Sequence, residues 1–161
     1  RVYGSIAMLA GSAGVLSGPF VLKYMGKINV NAPHFKLAIF GISMASLSLV
    51  LLPFQPNVNN ALVFVTMASF FVTLPLAGTS SAMVIVSPNR IRGVITGIYV
   101  VVTSVFGLVL GPFLVASSTD FIFQDTNAVA KSLALVSVLV GPVGIFFMFK
   151  GINSFGEIKN V

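Results

Sequence analysis

LAIFGISMASLSLVLLPFQPNVNNALVFVTMASFFVTLPLAGTSSAMVIVSPN, from Leu37 through Asn89, contains no Asp, Glu, Lys or Arg. The stretch from Gly93 through Thr119 is equally free of charge. A helix needs about 20 apolar residues to cross the hydrocarbon core of a bilayer, so these stretches have room for two spans and one span. A water-soluble core would not leave so much chain unbroken by a charge. The wider composition agrees. Hydrophobic residues make up 57% of the chain, mean hydropathy is +1.05 and only 7% of residues are charged. That is too little charge to cover a soluble surface. The expected fold is an all-α membrane protein with five transmembrane helices.

Gly and Pro are poor borders in lipid, because neighbouring helices can satisfy the backbone groups they free. Polar clusters and charges mark the borders instead. They place the spans at about Tyr3–Met25, Leu37–Phe54, Ala61–Val86, Val94–Ser117 and Ser132–Phe149. Alternate connections lie on opposite sides of the membrane. The first, third and last, with adjoining span ends, carry Lys23, Lys27, Lys36, Arg90, Arg92, Lys150 and Lys159. The other side has only Arg1 and Lys131 as basic residues, together with Asp120 and Asp125. The excess of Lys and Arg belongs in the cytoplasm, which puts Arg1 outside and Val161 inside. The chain opens at Arg1 with no initiator Met, and its first apolar run is too long for a signal-peptide core. Together with an odd number of spans, this leads us to expect a fragment whose upstream helices are missing.

Several function classes are excluded. The net charge of +6 would suit nucleic acid, but the basic residues sit singly between apolar runs, not in a stripe on a polar face. No nucleic-acid partner is expected. The chain has no cysteine, which rules out disulfides and thiolate metal sites. His34 with Asp120, Asp125 and Glu157 does not make a familiar metal or acid–base site inside a bilayer. No metal, cofactor or catalytic residue is therefore assigned, and the chain is not expected to be an enzyme.

Helices associate in lipid through small residues that let backbones approach. At 100° per residue, Gly4, Ala7, Gly11, Gly14 and Gly18 fall within roughly a quarter-turn of the first span. Gly93, Gly97, Gly107 and Gly111 form a similar strip on the fourth, joined by Thr96 and Thr103. Each strip suits either static packing or a sliding contact between moving bundles. The third span carries Thr66, Ser69, Thr73 and Ser80 on one face, with Pro75 in its course and Gly78-Thr79-Ser80-Ser81 beyond. That face fits either the lining of a water-filled cavity, with the broken helix as a gate, or hydrogen bonding between helices. Tyr99 and Thr103 on the fourth span are further candidates for substrate contact. The second and fifth spans have only scattered serines, which suits peripheral, lipid-facing helices. AGVLSGPFV in the first span also echoes FGLVLGPFLV in the fourth, aligning Gly14, Gly18, Pro19 and Phe20 with Gly107, Gly111, Pro112 and Phe113. Inverted repeats of this kind occur in secondary transporters.

SPNRIRGVITGIYVVVTSVFGLVLGPFLVASSTD, with Pro88, Arg90, Arg92, Gly93, Gly111, Pro112 and Asp120 at its marked positions, resembles the penultimate helix and preceding cytoplasmic loop of the major facilitator superfamily. Through FIFQDTNAVAKSLALV it is most similar to bacterial Spinster-like members. The resemblance implies helices 8 to 12 of a 12-helix major-facilitator fold in a bacterial inner membrane. It also implies a missing amino-terminal half of the same chain as partner. In that family helix 10 lines the cavity and helices 8 and 11 form the interface between halves. The third span, and the first and fourth, would take those places. On the interface face stand Gly11, Gly14, Gly18, Gly107, Gly111 and Pro112. The loop after the first span departs from the family pattern: GPFVLKYMGK has no acid, so Lys23 and Lys27 would meet lipid headgroups or acids of the other half.

The expected function is secondary active transport by rocking-bundle alternating access, with membrane lipid around the bundle. An apolar, hydroxyl-lined half-cavity suits an amphipathic or lipid-like small molecule. The other readings are a non-transporting or channel-like membrane subunit, and the scaffold part of an intramembrane enzyme. Orientation is directly testable because the chain lacks cysteine. A membrane-impermeant maleimide applied from outside should label Asn59→Cys in sealed cells, and Asn89→Cys only after permeabilisation.

Overall fold

A computed structural model of the chain describes residues 2–28, 30, 32–76, 78–79, 88, 90–124 and 128–158. Among the described residues five helices follow one another: α1 Val2–Lys27, α2 Pro33–Leu51, α3 Val58–Thr73, α4 Arg92–Phe123 and α5 Val129–Ile158. A 3₁₀ turn, Leu52–Phe54, extends α2. No strand occurs among the described residues. Four stretches among the described residues are long and apolar enough to cross a membrane, namely Gly4–Lys27, Pro33–Phe54, Arg92–Phe123 and Val129–Ile152. Helix α3 is as apolar but has 16 residues. This build is compatible with a membrane-integral protein.

The helices overrun the borders that charge suggested. Lys27 closes α1, Lys36 lies inside α2, Arg92 opens α4, and α5 takes in both Lys131 and Lys150. A lysine or arginine can lay its stem along apolar surface and send its charge to water. A charge therefore ends the hydrocarbon crossing without ending the helix. Pro33 sits in the first turn of α2, where its missing N–H costs nothing. Pro75 acts in the opposite way. It has no N–H to continue the ladder, and the chain turns at Leu74 and Pro75 before helical backbone resumes at Leu76, Gly78 and Thr79. The Thr79 N–H donates to the Pro75 carbonyl at 2.9 Å. The rest of the expected third span, 80–86, lies outside the described residues.

Packing corrects one expectation. Helix α2 is not peripheral. It packs on both α3 and α5 and buries Leu37, Ala38, Gly41, Ala45 and Ser48. The scattered small residues explain this. A Cβ on Gly41 would stand 2.7 Å from the Phe71 carbonyl oxygen, and one on Gly141 2.7 Å from Ser46 Oγ. Ser46 Oγ donates to the Ser137 carbonyl at 3.1 Å, joining α2 to α5. Each serine or glycine looks unremarkable alone in sequence, yet across a crossing they allow backbone approach.

Helix α1 packs chiefly on α3. A Cβ on Gly14 would meet Thr73 Oγ1 and lie 2.5 Å from the Phe70 carbonyl oxygen, and Gly18 is buried as well. Helix α4 stands apart. Its length Gly111–Phe123 packs on α5, whereas Arg92–Leu110 packs on none of α1, α2, α3 or α5 as described. The carboxyl-terminal joint is polar: Thr119 Oγ1 donates to Ser132 Oγ at 2.8 Å, and Ser132 Oγ to the Ala128 carbonyl at 3.3 Å. Two six-residue π-helical stretches interrupt α4, at Val105–Leu110 and Ser118–Phe123. The first runs directly into Gly111-Pro112, where proline withholds the N–H that an α turn would send to Leu108.

The crossing of α1 on α3 makes a clear prediction. Gly14→Ala should cost about 1–3 kcal/mol of stability through overpacking. Gly144→Ala, whose Cβ would meet only Ile42 Cδ1 at 3.9 Å, should leave the melting temperature in detergent nearly unchanged.

Candidate functional site

Thr66, Ser69 and Thr73 of the expected hydroxyl face lie on α3, and their surroundings differ. Thr66 is half-buried and returns its hydroxyl to the Leu62 carbonyl at 2.7 Å. Ser69 is half-buried, and its carbonyl stands 2.9 Å from Thr73 Oγ1, an alternative acceptor for that hydroxyl. Back-bonding of this kind satisfies a hydroxyl in lipid at little cost. Thr73 also reaches outward: its Oγ1 lies 3.0 Å from the Gly11 carbonyl of α1. That oxygen therefore sits in the α1–α3 contact, directly over Gly14. Ser80 lies outside the described residues.

On α4, Tyr99 is half-buried, and its hydroxyl lies 3.5 Å from Thr79 Oγ1. This pair connects α4 with the chain just past Pro75. Thr103, one turn on, is exposed and bonds the Tyr99 carbonyl at 2.7 Å. Tyr99 and Thr103 therefore share a face of α4, and Thr79 belongs with them although only its run of neighbours marked it in sequence. The α1 glycines and the α4 glycines do not share surroundings. A Cβ on Gly11 would meet Thr73 Cγ2 at 3.7 Å, whereas Cβ atoms on Gly93, Gly97, Gly107 and Gly111 would meet nothing within 4 Å. Pro112 is exposed. The echo between the first and fourth spans thus joins two sites in unlike environments.

The basic residues divide by exposure. Lys23, Lys27 and Arg90 are exposed, and Arg92 is half-buried. Arg92 Nε and His34 Nδ1 are both shielded from solvent and have no hydrogen-bond partner among the described residues. His34 Nδ1 lies 3.7 Å from the place a Cβ on Gly78 would take, so the first turn of α2 packs on the chain beyond Pro75.

One feature escaped the sequence. An open groove of about 420 Å³ lies where α1, α2 and α3 meet, lined by Ser17, Val21, Met25, Lys36, Leu37, Phe40, Phe70, Phe71 and Leu74. Its volume falls within the roughly 300–1,000 Å³ usual for small-molecule sites. Phe71 anchors the wall with edge-to-face contacts to Phe40 and Phe70, at centroid distances of 5.8 and 5.4 Å. Ser17, Val21 and Met25 form a stripe at i, i+4, i+8 that can be read from sequence. Its meeting with aromatic residues from two other helices cannot.

Comparison with protein-family models, with curated proteins and with solved structures finds no match for this chain. The geometry therefore carries the functional argument. Thr73→Val keeps the side-chain shape and removes the bond to Gly11. It should lower stability by about 0.6 kcal/mol, the average for an interhelical hydrogen bond in a membrane protein, while Thr73→Ser should retain it. Denaturation of the purified protein in detergent measures both.

Proposed function

We propose that the chain forms part of a secondary active transporter of the major facilitator type, working by alternating access on an amphipathic or lipid-like small molecule. The observation that carries this reading is the contrast between α1 and α4. Gly11 and Gly14 are used against α3, while Gly93 and Gly97 of α4, with Thr96 and Thr103, share a strip that no described helix covers. A covered strip makes a fixed bundle. An uncovered strip of small and hydroxylated residues suits a surface that closes against a second bundle, here the amino-terminal half of the same chain, and opens again. Tyr99 and Thr79 stand beside that strip and are the best-placed polar groups for contact with substrate. Thr73 supports the reading as a fixed packing group, and Thr66 and Ser69 remain secondary candidates.

Orientation follows the charge pattern, with Arg1 outside, Val161 in the cytoplasm and the protein in a bacterial inner membrane. No Asp, Glu, Lys, Arg or His falls within the charge-free stretches, and intramembrane charges are the usual mark of proton relays. Coupling to an ion therefore falls to groups elsewhere in the transporter. A channel-like subunit is the second reading, favoured by the same uncovered strip if copies assemble around a pore.

Reconstitution of the chain together with the amino-terminal half into proteoliposomes tests the two readings. Saturable uptake that depends on an imposed gradient is expected, and linear flux without gradient dependence would sink the transporter reading. Asp120→Asn, Asp125→Asn and Glu157→Gln should each leave pH-dependent uptake within about twofold of the parent, consistent with acids at or beyond the membrane edge. Loss of pH dependence in any of them would place coupling there instead.

A further inference from the structure

We infer that the groove between α1 and α2 holds one acyl chain of an anionic phospholipid, with the headgroup phosphate drawn to Lys36. The inference needs the helices to cross a membrane, but it does not depend on transport.

Three observations converge. First, the groove is built for a chain. Its walls are aliphatic and aromatic except at Ser17 and Lys36, and the Ser17 hydroxyl is already returned to the Gly14 carbonyl at 2.9 Å. Nothing along the floor asks for a polar ligand. Second, the length fits one leaflet. From Ser17 to Met25 the α1 wall rises about 12 Å at 1.5 Å per residue, against about 15 Å for half of the hydrocarbon core. Third, charge marks one end. Lys36 and Met25 lie at the end nearest the α1–α2 connection, and Lys36 is exposed. Its stem lines the groove while its ammonium reaches the surface. Lys23 and Lys27 are exposed on the last turns of α1 at the same end.

Among the described residues none of these lysines forms an ion pair. No acid lies in the first turn of α2, and none lines the groove. The mouth is therefore a cluster of exposed positive charge over an apolar slot, which matches a phosphate carrying an acyl chain. Tyr24, which is 66% exposed, lies one turn beyond Val21 on α1. A tyrosine there suits the headgroup level of a bilayer. A transmembrane helix from another copy would fill the slot equally well, but it would leave Lys36 without a counter-charge.

Native mass spectrometry of the full chain, titrated with phosphatidylglycerol or phosphatidylcholine of identical chains, tests the inference. The parent protein should bind one phosphatidylglycerol more tightly than the choline lipid. Lys36→Gln should cut that preference about fivefold, the effect of one lysine near a membrane surface, without changing affinity for phosphatidylcholine. Lys131→Gln, at an exposed site on α5, should leave the preference intact. Ser17→Leu, which fills the floor, should weaken both lipids while circular dichroism reports an unchanged fold. Equal binding of the two lipids by the parent would overturn the inference. So would an equal loss in Lys36→Gln and Lys131→Gln, because diffuse surface charge would then explain the preference.

Discussion

The approach of α1 to α3 at Gly14 is the contact on which the first three helices depend. A single hydrogen replaces a side chain there, and the space it leaves is taken by the Phe70 carbonyl and the Thr73 hydroxyl. Thr73 then reaches the Gly11 carbonyl, one turn away. In lipid there is no hydrophobic drive to bring two apolar helices together, so the crossing must come from close fit and from the few polar bonds the fit permits. The groove over α3 follows from it. With α1 held tightly to α3, and α2 also seated on α3 through Gly41, the flanks of α1 and α2 diverge and leave Phe40, Phe70 and Phe71 lining a slot.

The same principle organises the other side of the bundle with different residues. Ser46, Ser137 and Gly141 bind α2 to α5, and Thr119 with Ser132 binds α5 to the end of α4. Ser132 is fully buried, and its hydroxyl both accepts a hydrogen bond and donates one. Each joint pairs a small side chain with a hydroxyl or a carbonyl. None uses an ion pair, in keeping with the cost of charge in hydrocarbon.

Much of the fold could be read from the sequence, because apolar runs separated by polar clusters have few structural solutions in a bilayer. The number and order of helices follow from those runs, and the break at Pro75 follows from the missing N–H. Borders were less legible. Lys36, Arg92 and Lys150 stand just outside the borders that charge suggests, yet a lysine or arginine can remain helical while its charge finds water. The place of α2 is hidden in the sequence because a lone serine such as Ser46 carries no signal until its partners on α5 are known. For the candidate site, sequence periodicity gave the face that Thr66, Ser69 and Thr73 share, but not what opposes it. A helical wheel gives directions without neighbours. The groove was invisible for the same reason, since its walls come from three helices.

The π-helical stretch Val105–Leu110 changes what a wheel drawn along α4 can mean. A turn closed by i→i+5 bonds takes up about one residue more than an α turn, so each such turn rotates the following faces by about 100°. Gly93 and Gly97 before it, and Gly111 beyond it, therefore do not fall on the single line that uniform spacing implies. The helix is better regarded as two rods set out of phase and joined end to end. The carboxyl-terminal rod is committed to α5, and the amino-terminal rod points its own small-residue edge in a separate direction. One continuous segment can thus serve two unrelated neighbours, and a change that tunes one of them need not disturb the other.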